Sequence, residues 1–174
     1  MAMAGGGLSS WFGRWVVLAL VCCWFGDMIG PFNFFAGLLA FLLGHLVFVA
    51  AFWTKGISAV RCLAAAAPVL ACTGLLAWWL LPHVPAADRP AVVAYVAVIT
   101  GMLLAAAGAS RGTGGRILLA AAVVFYVSDI FVARWRYVDP DAINAFLCYP
   151  LYYAACILFA LSVCKRDLCE SRFD

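Results

Sequence analysis

"GDMIGPFNFFAGLLAFLLGHLVFVAAF", residues 26–52, decides the fold. From Phe34 to Trp53 the chain is apolar with no charged residue. About 20 such residues in a helix, at about 1.5 Å each, cross the roughly 30 Å hydrocarbon core of a bilayer. A transmembrane strand would be shorter and would alternate in polarity, which this run does not. "GPFN" in front of it carries turn chemistry. Two residues stand out: Asp27, which closes the preceding apolar run, and His45, which sits inside this one.

The same pattern extends in both directions. Apolar runs cover 11–29, 34–53, 59–81, 90–109, 116–133 and 143–164, separated by "GPFN", "TKG", "PHVPAADRP", "SRGTGG" and "RYVDPDA". The expected fold is all-α: a polytopic membrane bundle of about six helices, in one transmembrane domain. Composition agrees. The 174 residues are 68% hydrophobic and 11% charged, with a mean hydropathy of +1.07, whereas soluble domains are about half apolar and a quarter charged. Short loops imply antiparallel neighbours. The run "RWVVLALVCCWFG" also resembles a signal peptide, but no small-x-small site follows it, so it is read as the first span.

Charge sets the expected orientation. With six spans, both termini share a side with the second and fourth loops. That side holds Arg14, Lys55, Arg61, Arg111, Arg116, Lys165, Arg166 and Arg172, against Arg89, Arg134 and Arg136 on the other. The bias places both termini in the cytoplasm of a multi-pass protein, in the inner membrane for a bacterial source. The net charge of +3 carries no message about nucleic acid. The eight cysteines form no CxxC pair and lie mostly in apolar runs, as small hydrophobes filling helix interfaces.

Intramembrane charges are costly and usually mark function. Asp27 falls near the outer end of the first run. Asp129, in "FYVSDIFVA" with Ser128, falls in the outer half of the fifth. Tyr95 lies near the outer end of the fourth, and His45 near the middle of the second. In "CYPLYYAAC", Tyr149, Tyr152, Tyr153 and Cys156 follow helical spacing on one face. Together they predict a buried polar pocket, open to the outer leaflet or outer water, whose two carboxylates could serve as an acid/base pair. Each residue also has a structural use: Asp27 as an interfacial residue, Ser128 bonded to its own helix, the tyrosines as an interfacial belt. Gly37 and Gly44, with Ala36 and Ala40, read as a close-packing face.

Absences narrow the chemistry. Of the two histidines, His45 and His83, the second lies in the "PHVPAADRP" loop, so one copy cannot build a three-histidine zinc site. No G-x-S-x-G elbow, P-loop or dinucleotide fingerprint is present, and "RGTGGR" reads as a plain loop. No cofactor or metal is expected.

These residues resemble the YhhN-like lysoplasmalogenase family over most of the chain, roughly residues 15–163. "GDMIG" with the following Gly/His helix and the "FYVSD" helix are the more specific matches; "AYVAVITGMLLAAA" and "YPLYYAACILFALSV" add to them. The resemblance implies hydrolysis of the vinyl ether bond of a lysoplasmalogen, giving a fatty aldehyde and glycerophosphoethanolamine or glycerophosphocholine. Asp27 and Asp129 would be catalytic. His45, Tyr95, Ser128, Tyr149, Tyr152 and Tyr153 would orient them or hold the substrate. The partners implied are a lipid substrate and the membrane. The family usually has about eight spans against six here, so a wall of the pocket would be missing, and homo-oligomerisation would complete it. Cys156 stands where the family's last helix often carries Gln. Two other readings fit the same polar residues: a carrier of a small polar or lipid solute, and a non-catalytic shortened relative.

Overall fold

The computed structural model describes residues 10–170, with side chains as far as Cys164. Lys165, Arg166, Cys169 and Arg172, which the sequence reading counted among the cysteines and basic residues, lie outside the described side chains. Six helices form: α1 Trp11–Ile29, α2 Phe34–Lys55, α3 Ala59–Leu80, α4 Arg89–Gly108, α5 Gly112–Tyr137 and α6 Ala142–Glu170. A 3-10 turn, Leu81–His83, continues α3. All six are long and apolar enough to cross a membrane, and the described residues form no strand. In lipid every backbone N–H and C=O must be satisfied within the chain, which leaves the helix as the only form these runs can take.

Local chemistry sets the ends. The Ser10 hydroxyl accepts from the Gly13 N–H at 3.1 Å, and Asn33 Oδ1 accepts from the Ala36 N–H at 3.1 Å. Both satisfy donors that a helix start leaves orphaned. Gly56, at φ 88°, ends α2 in a backbone region that costs other residues a steric penalty. The fifth span runs past the expected 116–133 at both ends. It starts at Gly112 and closes with Arg134 and Arg136 in its last turn, where cations complement the helix dipole.

Five helices close a ring in which α1 packs on α2, α2 on α4, α4 on α5, α5 on α6 and α6 on α1. The third helix stands outside, against α4 with a lesser touch on α5. Leu80 is its only buried residue, while Val60, Leu63, Leu75 and Trp78 are each at least two-thirds exposed. Inside the ring, Phe48 stacks on Phe159 at 4.1 Å between ring centroids, with Phe52 and Phe125 around them. His45 and Met102 are also fully buried there.

Two features bring the polar residues to one end. The first is the tight α1–α2 hairpin. A Cβ on Gly37 would lie 2.6 Å from the Gly30 Cα, and one on Gly44 would lie 3.0 Å from Cys23 Sγ. Small residues here let the two backbones approach closely. The second is the α5–α6 connection. Arg134 donates from Nη2 to Asp139 at 2.9 Å and from Nη1 to Asn144 Oδ1 at 3.0 Å. The fully buried Asn144 donates in turn to the carbonyl of Asp139 at 2.8 Å and that of Asp141 at 3.1 Å. This lock fixes how α6 leaves α5.

Candidate functional site: a two-carboxylate cavity

A cavity of about 1010 Å³ opens at one end of the ring. Its rim uses residues from the α1–α2, α3–α4 and α5–α6 ends, among them Pro31, Trp79, Arg136 and Pro140. Asp27, Tyr95, Ser128, Asp129, Tyr149, Tyr152 and Tyr153 all line it. His45 does not; it lies fully buried beneath.

Each carboxylate is held by one phenol. Tyr152 Oη donates to Asp27 Oδ2 at 2.8 Å, joining α6 to α1. Tyr95 Oη donates to Asp129 Oδ2 at 3.0 Å, joining α4 to α5. Among the described residues Oδ1 of each aspartate carries no hydrogen bond to the protein. The two carboxylates therefore resemble each other, except that only Asp129 has a histidine behind it.

That histidine is constrained. His45 Nδ1 lies 2.7 Å from the Phe41 carbonyl, which can only accept, so Nδ1 bears a hydrogen. Nε2 then faces Asp129 Oδ2 at 3.4 Å and makes no hydrogen bond among the described residues. Asp27 has no such neighbour and only accepts.

Aromatic rings position both groups. Phe125 packs edge-on to His45 at 4.8 Å and to Tyr152 at 5.4 Å. The Phe41 ring meets Tyr152 at 5.7 Å while its carbonyl holds His45. One residue of α2 thus supports both carboxylate clusters. Phe41 has room to do so because a Cβ on Gly26 would strike its ring at 2.6 Å.

The remaining sequence-derived candidates are placed less centrally. The Ser128 hydroxyl donates to its own helix at the Phe125 carbonyl, 2.7 Å away. Tyr149 and Tyr153 are about half exposed and form the rim, whereas Tyr152, Ala155 and Phe159 turn inward. The tyrosine face of α6 therefore divides, and only Tyr152 reaches a carboxylate.

Two contributors were not singled out from sequence. Phe41 had no signal, since any residue of α2 offers a carbonyl. Arg136 had one: it follows Asp129 by seven positions, two turns along the same helix face. Among the described residues it is the only basic one lining the cavity, and the sequence shows it only as a loop charge.

A family model described as the YhhN family matches residues 1–163, and the chain belongs to that family. No curated protein and no solved structure matches the chain.

Proposed function

We propose that this member of the YhhN family is a membrane hydrolase that cleaves the vinyl ether bond of a lysoplasmalogen. The observation that carries the reading is the pair of phenol-held carboxylates, Asp27 and Asp129, lining one cavity in an otherwise apolar bundle.

The chemistry matches the asymmetry of the pair. A vinyl ether is activated by protonation at the carbon of its double bond remote from oxygen. The C=C electrons form the new C–H bond, and an oxocarbenium ion results. Asp129, with His45 Nε2 behind it at 3.4 Å, is the general acid. Tyr95 stabilises the carboxylate left when its proton departs. Asp27, an acceptor only, stabilises the cation and takes a proton from the attacking water. The hemiacetal so formed collapses to the fatty aldehyde and the glycerol hydroxyl, and the proton taken by Asp27 balances the one Asp129 gave. Tyr152 keeps Asp27 aimed.

Orientation follows from charge. The cavity end carries Arg89, Arg134 and Arg136, while Arg14, Lys55, Arg61, Arg111 and Arg116 belong to the other. The positive-inside bias puts the termini in the cytoplasm and the cavity mouth toward the outer face.

The test is aldehyde release by the purified chain in detergent. A lysoplasmalogen is supplied, with the saturated ether analogue as control. Release from the vinyl ether alone, and a loss of at least about 100-fold in Asp27→Asn and in Asp129→Asn, is expected, since removing a general acid or base costs roughly 10²–10⁴ in rate. Near wild-type release from either folded variant overturns the mechanism. No release from folded wild type overturns the hydrolase reading, and uptake of intact lipid into proteoliposomes would replace it with a carrier.

A further inference from the structure

We infer that Arg136 is the phosphate-reading residue of the cavity, making it selective for glycerophospholipids over phosphate-free ether glycerolipids. The inference rests on the hydrolase reading for the identity of the lipid, but on separate observations for the subsite.

Among the described residues, Arg136 is the only cation lining the cavity. Its neighbour Arg134 is committed to Asp139 and Asn144, whereas Arg136 enters no ion pair among the described residues. Instead its guanidinium lies over the Phe34 ring, 4.6 Å from the centroid, with the Tyr137 ring at 5.9 Å. Tyr137 interacts with both Arg136 and Asp88. Contact with Phe34 and Tyr137 holds the guanidinium at the cavity wall, opposed by no carboxylate in an ion pair among the described residues. Its N–H edge suits a phosphate diester, which it can grip in a bidentate way.

The spacing fits one molecule. Asp129 and Arg136 lie on the same face of α5, and seven residues at about 1.5 Å place them roughly 10 Å apart along the helix. In a lysoplasmalogen about seven covalent bonds of roughly 1.5 Å separate the phosphorus from the alkenyl carbon that is protonated, a zigzag of roughly 9 Å. A lipid whose phosphate meets Arg136 is thus long enough to reach Asp129 with its vinyl ether, and both residues line the one cavity.

The cavity supplies its own probe, because Trp79 and Trp135 line it. Tryptophan fluorescence of the full chain in detergent is titrated with a non-hydrolysable 1-O-alkyl glycerophosphoethanolamine and with the matching 1-O-alkylglycerol. Wild type is expected to bind the phosphorylated lipid at least tenfold more tightly. Arg136→Gln should lose that preference while binding alkylglycerol as wild type does, and Arg136→Lys should recover part of it. Equal weakening toward both lipids would mark Arg136 as structural and overturn the inference, as would an unchanged preference in Arg136→Gln. Displacement of the lipid by equimolar inorganic phosphate would overturn the lipid assignment. These binding outcomes stand whether or not aldehyde is released, so failure of the hydrolase reading is seen separately, in turnover.

Discussion

Replacing Tyr152 with Phe removes one oxygen from the site and little else. The ring keeps its contacts with Phe41 at 5.7 Å, Phe125 at 5.4 Å and Tyr153 at 4.9 Å. What disappears is the 2.8 Å donation to Asp27 Oδ2. Hydrogen bonds to a charged group contribute about 1.5–3 kcal/mol. Asp27 is only partly buried, so water replaces part of the lost donor, and the lower end applies. A barrier change of about 1.4 kcal/mol is tenfold in rate, so Tyr152→Phe should lower kcat/KM for aldehyde release by about tenfold. Thermal stability in detergent should stay close to wild type. The double variant Asp27→Asn/Tyr152→Phe decides whether the phenol works through Asp27. If it does, the double variant is no slower than Asp27→Asn alone, because neighbouring residues in one network do not add. Multiplied losses, or wild-type turnover in Tyr152→Phe, would refute the assignment.

Two further predictions concern the scaffold that aims the site. Gly37→Val forces a branched side chain into the Gly30 backbone, already 2.6 Å from a first Cβ. Overpacking of this kind costs about 1–3 kcal/mol, and a matching fall in thermal midpoint by detergent-solubilised unfolding checks it; an unchanged midpoint would show that the hairpin tolerates separation. Asn144→Ala strips the α5–α6 lock of three hydrogen bonds and should destabilise by about 2 kcal/mol. Its turnover at a temperature where it remains folded should fall as well, since α6 carries Tyr152; full activity there would separate the lock from the site.

Much of the architecture was readable from residue order. Six apolar runs without alternation can satisfy their backbone in lipid only as helices, and the described residues form six helices long and apolar enough to cross a membrane. Two of them, α5 and α6, continue beyond their apolar stretches. A helix running out of a membrane keeps its hydrogen bonds in water, so hydropathy loses sight of its end. Asp27 and Asp129 were equally legible, because a carboxylate in an apolar run is conspicuous whatever its neighbours.

Pairing was not legible. Nothing in the order of residues couples Tyr152 to Asp27, 125 positions away, or Tyr95 to Asp129. Those contacts depend on the rotation of each helix about its axis, which the close approach at Gly37 and the Asn144 lock decide. Composition likewise treats α3 as one apolar run among six, and only packing puts it outside the ring. His45 was visible as a polar residue in a greasy helix. Its burial beneath the cavity, with Nδ1 on Phe41 and Nε2 toward Asp129, is a product of assembly. The sequence by itself determined that this chain crosses a membrane as helices and carries two misplaced acids. The tertiary structure alone decided which phenol holds each acid and that an imidazole lies behind only Asp129, because hydropathy constrains where a helix lies and leaves its rotation to side-chain fit.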